Sequence, residues 1–186
     1  MHPPGKKPSR RDSAELALAE LCDGFLTPED WAAGFEPVEP DSMPDPFCNL
    51  LVHHEHMTTR LAEHYGRPVE LRVLRRQQQN NEYSRLIALN LQGSDQIVEV
   101  GIVRLNLGFV SQDVRKEILS ANEPLGQILI NHDVLRRIEP RWYYRFAPQS
   151  PIARHFGSLN APVYGRWGVI YCDEKPAIRL LEIVRG

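Results

Sequence analysis

Charged side chains stand in rows where a strand pattern calls for apolar ones. The stretch Val163 to Val184, VYGRWGVIYCDEKPAIRLLEIV, holds two apolar runs around Asp173-Glu174-Lys175. That is the pattern of a β-hairpin. Side chains alternate faces along a strand, so Ile178, Leu180, Glu182 and Val184 share one face, and Glu182 interrupts the apolar row. Arg85 interrupts another, with Ile87, Leu89 and Leu91, and Arg166 shares a face with Tyr164, Ile170 and Cys172. A carboxylate among apolar neighbours must be paired, protonated or in use. Glu182 at a sheet edge would instead reach water, and Arg85 near its strand end would snorkel out. Pro124-Leu125-Gly126 opens a helix whose first N–H groups lack in-helix acceptors and suit an anion. Together these residues describe a largely apolar pocket. A carboxylate clamp (Arg85, Leu125–Gly126) stands at one end and Glu182 at the other, with Arg166 a further candidate. Its natural occupant is a small ring-like anion. The competing arrangement is a buried Arg85–Glu182 ion pair with no ligand.

The elements that must position these residues follow from periodicity. A first, peripheral helix is expected over Ser13–Leu26, and an acidic, proline-rich surface linker over Glu36–Pro46. Asp45-Pro46 opens a second helix, with Leu50, Leu51, His54, Met57, Thr58 and Leu61 as its inward stripe and Gly66 as its stop. Strands follow at Val69–Arg76, Ser84–Leu91 and Ile97–Leu107, then short helices at Ser111–Ser120 and from Pro124, a strand over Val134–Phe146, and the closing hairpin. The expected fold is α+β: an antiparallel sheet of about six strands with helices on one side. Residues 1–45 read as tail, peripheral helix and linker, and 46–186 as the folded domain.

Composition excludes several classes. The net charge of -2 gives no electrostatic footprint for nucleic acid, and no apolar run approaches a membrane span. Three widely spaced cysteines fit a reducing cytoplasm rather than a disulfide framework. His53-His54-Glu55-His56 invites a metal reading, but HExxH spacing and a second ligand cluster are both missing. Nucleotide-binding glycine motifs and the GxSxG elbow are missing too.

At these residues the sequence resembles the chorismate–pyruvate lyase (4-hydroxybenzoate synthase) family. The resemblance runs from about Asn49 to Glu182. It is carried by LLVHHEHMTTRL (Leu50–Leu61), GRPVELRVL, YSRLIAL (Tyr83–Leu89), VGIVRLNL, PLGQIL (Pro124–Leu129), YGR (Tyr164–Arg166) and KPAIRLLE (Lys175–Glu182), in that order. It implies an antiparallel sheet with helices packed against it, and an enclosed site under mobile flaps. It implies a cofactor-free, metal-free elimination of pyruvate from chorismate. In that scheme Arg85 and the Leu125–Gly126 backbone bind the ring carboxylate, Glu182 meets the 4-hydroxyl, and Met57 and Thr58 line the cavity. Arg166 is the candidate for the enolpyruvyl carboxylate. The chain departs from the family in a longer Phe146–Val163 connection, a short stretch after Glu182, and an otherwise more basic run reduced to Arg166. Two alternatives stand beside the lyase: a non-catalytic domain that senses a small aromatic acid, and a lyase variant that makes another hydroxybenzoate. The expected partner is a small molecule, not nucleic acid or membrane.

Overall fold

The computed structural model describes residues 9–32 and 34–186. Residues 1–8, within the expected tail, lie outside them. Helix α1 (Arg10–Cys22) is followed by α2 (Pro28–Ala32), strand β1 (Phe35–Val38) and helices α3 (Phe47–Leu51) and α4 (Met57–Tyr65). Then come β2 (Val69–Gln79), β3 (Glu82–Leu91), β4 (Ile97–Asn106), α5 (Gln112–Ser120), α6 (Leu125–Asn131), β5 (Arg136–Phe146), β6 (Val163–Cys172) and β7 (Lys175–Val184). The strands form one antiparallel sheet in the order β1-β5-β6-β7-β4-β3-β2. The β6–β7 turn places Asp173 and Glu174 at φ 49° and 63°, the left-handed pair that matches the twist of a tight hairpin.

The sheet has two apolar faces. On one, Ile178, Leu180 and Val184 of β7, Ile87 and Leu89 of β3 and Val103 of β4 pack beneath α3, α4, α5 and α6. On the other, Leu86, Val100, Ile102, Leu181 and Ile183 pack against Ala14, Leu18, Leu21 and Cys22 of α1. The α+β antiparallel architecture is the expected one, with seven strands. A bulge between Pro140 and Trp142 changes the parity of β5, so that Ile138 serves the first face and Tyr144 and Phe146 the second.

Three expectations need correction. The first helix is not peripheral: Ser9 and Asp12 form its capping box, and its buried stripe covers the second face. The surface linker contains β1, which pairs with β5, with Pro37 opposite Tyr144. An edge strand tolerates a proline that an inner one would not. The residue 1–45 segment therefore contributes both a strand and a core-covering helix. Finally, the single helix expected from Asp45 is two. Pro46, not Asp45, is the N-cap of α3, and His53–His56 form the connection to α4. The break has a tertiary cause. Arg166 of β6 donates from Nη1 to the carbonyls of Leu51 (3.3 Å) and His53 (2.9 Å), and from Nη2 to that of Glu55 (3.1 Å). These carbonyls face the guanidinium instead of an N–H four residues on, and that of Leu51 also accepts from the His53 N–H.

Candidate functional site

A cavity lies between the first sheet face and the starts of α4 and α6. Met57, Thr58, Arg85, Leu125, Gly126 and Glu182, the positions singled out above, all line it. So do His56 and Glu99. The enclosed space is about 50 Å³, a third of the ~150 Å³ of an apolar cavity that takes benzene. A ring therefore enters only when part of the wall moves. His56 stands between this cavity and an outer groove containing Arg136 and Arg137, since it lines both.

At one end stands Arg85. It is 1% exposed, and its Nε and Nη1 have no hydrogen-bond partner. It forms no ion pair among the described residues. Burial pulls its pKa below the ordinary value, and the Tyr83 hydroxyl partly restores it, although the two side chains make no hydrogen bond of good geometry. An unpartnered buried guanidinium is costly in a fold and suited to a bidentate carboxylate. Beside it in the lining, Leu125 and Gly126 begin α6 after the N-cap Pro124, which provides no side-chain cap. Their N–H groups precede the first bond of the helix, Gln127 N–H to Pro124 O. A Cβ on Gly126 would fall 2.7 Å from His56 Nδ1, so glycine is what lets that ring lie against the helix start.

At the other end is Glu182. The register places it opposite Gly101 of β4, whereas Arg85 is opposite Val103. Two strand spacings and one two-residue step separate Arg85 and Glu182 by roughly 12 Å at Cα, and among the described residues no ion pair joins them. Glu182 instead accepts from Arg166 Nε at 2.6 Å, with side chains 13% and 1% exposed. Arg166 therefore holds Glu182 to the α3–α4 connection and does not line the cavity. Among the described residues its guanidinium is engaged by Glu182 and the α3–α4 carbonyls, the contacts of a strut.

Glu99 escaped the sequence reading, and His56 entered it only as a candidate metal ligand. Glu99 is 3% exposed; burial, then the negative charge of Glu182, push its carboxyl well above the usual range, with Arg166 partly offsetting. Along β4, Glu99, Gly101, Val103 and Leu105 share a face, so the rule that singled out Arg85 and Glu182 also applies here. His56 accepts from Arg136 Nε at 2.7 Å. Burial, then Arg136 and Arg166, lower its pKa to about 4, and His53 is lowered to about 4 by burial and then Arg166. Both rings are neutral near pH 7. Both nitrogens of His53 and Nε2 of His56 are engaged by protein groups, and among the described residues no three His, Cys, Asp or Glu side chains group as metal ligands would.

No family model and no curated protein matches the sequence. Solved structures share its architecture. PhnF from Mycobacterium smegmatis superposes with a TM-score of 0.54 at 13% identity, over 73% of this chain. The match spans 65% of the length of PhnF. The ligand-binding domain of a protein assigned to the GntR-family transcriptional regulators, from Bordetella bronchiseptica, matches at 0.49 and 12% identity, over 63% of this chain and 85% of that one. At such identities the likeness is one of fold alone: an antiparallel α+β sheet with helices packed on it. Among the described residues, no helix is long and apolar enough to cross a membrane.

Proposed function

We propose that the cavity takes a small ring acid by its carboxylate, and that the chemistry performed on it is elimination of pyruvate from chorismate. The observation that carries this reading is Arg85, a buried cation whose Nε and Nη1 lack partners, in a cavity shared with the first N–H groups of α6. Such a seat suits one planar carboxylate. The apolar walls, Met57, Ile87, Leu89 and Leu180, suit the ring. On this reading Glu182, also in the lining, meets the hydroxyl para to the carboxylate. The sequence resemblance supports the reading, since the positions it marks line the cavity, Arg166 excepted.

Chorismate meets these demands. Its ring carboxylate lies opposite a 4-hydroxyl, and the enolpyruvyl ether is on the neighbouring C3. The C3–O bond breaks with its electron pair passing to oxygen, a proton leaves C4, and the released enolpyruvate takes up a proton to become pyruvate. Aromatisation drives the step, so the chain's work is to orient the ring and exclude water. A hydroxybenzoate other than the 4-isomer would leave the same clamp in use.

A second reading is binding of such an acid without turnover. It is favoured by the ion pair at Glu182, which fits a carboxylate that positions a hydroxyl better than one that moves a proton. The shared fold hosts more than one function and does not choose between the two. The test is incubation of pure protein with chorismate and chromatographic identification of products. Equal amounts of pyruvate and 4-hydroxybenzoate are expected. Intact chorismate, together with tight binding of 4-hydroxybenzoate, selects the sensing domain, and neither turnover nor binding rejects both readings.

A further inference from the structure

Glu99 is a buried carboxyl in this cavity for which the reading above has no use. Its side chain lines the cavity, and its Oε2 has no hydrogen-bond partner. It folds back along β4 over Gly101, where a Cβ would lie 3.2 Å from Glu99 Oε1 and 3.1 Å from Ile87 Cγ1. Gly101 is the register partner of Glu182. The missing side chain at 101 thus makes room for the Glu99 carboxyl to approach that of Glu182. Two carboxyl groups in one dry site do not both ionise readily. Arg166 holds Glu182 directly, and burial with the charge of Glu182 raises the Glu99 carboxyl above its ordinary range, which favours its protonated form. The far end of the cavity therefore presents an acceptor and a donor side by side.

We propose that Glu99 is a specificity-determining contact, donating a hydrogen bond to an oxygen on the ring carbon next to the one whose hydroxyl meets Glu182. The inference rests on the ring-acid reading and narrows its ligand class. A single para hydroxyl satisfies Glu182 alone and leaves the Glu99 O–H without an acceptor. Adjacent oxygens satisfy both groups. In chorismate these would be the 4-hydroxyl and the C3 ether oxygen.

The test is calorimetric binding of 4-hydroxybenzoate and 3,4-dihydroxybenzoate at pH 7 to the wild type and to Glu99→Gln and Glu99→Leu. The wild type is expected to prefer the dihydroxy acid by about tenfold, the scale of one net hydrogen bond. Glu99→Gln, whose amide still donates, keeps most of that preference. Glu99→Leu loses that preference whatever its absolute affinity for 4-hydroxybenzoate, a selectivity change that a merely structural role would not produce. Should Glu99→Leu fail to fold, Glu99→Asp, which withdraws the acid by one methylene, must show a reduced preference. Equal affinity for the two acids in the wild type, or an undiminished preference in Glu99→Leu or Glu99→Asp, overturns the role of Glu99 and leaves the ring-acid reading standing. A wild type that binds neither acid overturns that reading and this inference together.

Discussion

Replacing Arg85 by methionine is expected to weaken ring-acid binding by about 30-fold or more while raising the stability of the fold. In most proteins, removing a buried arginine strands its partner. Here Nε and Nη1 have no partner to strand. Methionine fills much the same volume without a charge, and removing unsatisfied buried donors should stabilise the fold by about 1–3 kcal/mol. Binding goes the other way. Truncating one side of a buried charge pair costs about 2–5 kcal/mol, roughly 30-fold or more in the affinity for 4-hydroxybenzoate. Arg85→Lys should be nearly as damaging, because an ammonium cannot present the planar fork. Calorimetry and urea unfolding measure the two effects. Unchanged affinity in Arg85→Met would remove the clamp. A large loss of stability would show instead that Arg85 is structural.

The second large effect is expected at Arg166, with the sign of the stability change reversed. Arg166→Met leaves Glu182 without its ion-pair partner and frees the carbonyls of Leu51, His53 and Glu55 inside the fold. Breaking a buried pair of this kind costs about 3–5 kcal/mol. Arg166→Lys should recover little, because one ammonium cannot reach Glu182 and the α3–α4 carbonyls together. In the double variant Arg166→Met/Glu182→Gln the stranded carboxylate is gone, and part of the loss should return. A folded Arg166→Met of wild-type stability that no longer binds chorismate would make Arg166 a ligand contact rather than a strut.

Arg85 and Glu182 were legible in the sequence for one physical reason: a charge in an alternating apolar row has to be explained. Leu125–Gly126 was legible because a helix start carries unpaired N–H groups whatever its surroundings. The same alternation exposes Glu99, but Val98 and Val100 make its segment look like an ordinary strand, and nothing in the local pattern reveals that Gly101 lets the carboxyl fold inward. The break between α3 and α4 was not legible at all. The apolar stripe of Leu50, Leu51, His54, Met57 and Leu61 has helical spacing, and the group that interrupts it, Arg166, arrives from a strand over a hundred residues later. Likewise, the prolines around β1 argue for a linker, and only its place at the sheet edge permits a strand there.

The most direct test of the account is a crystal structure of the protein with 4-hydroxybenzoate. The carboxylate is expected in bidentate contact with Arg85 and within hydrogen-bond reach of the Leu125 or Gly126 N–H. The hydroxyl is expected at Glu182, with Arg166 still bound to Glu182 and to the α3–α4 connection. A ligand lying in the outer groove beside Arg136, or one reversed so that its carboxylate meets Arg166, would contradict the account.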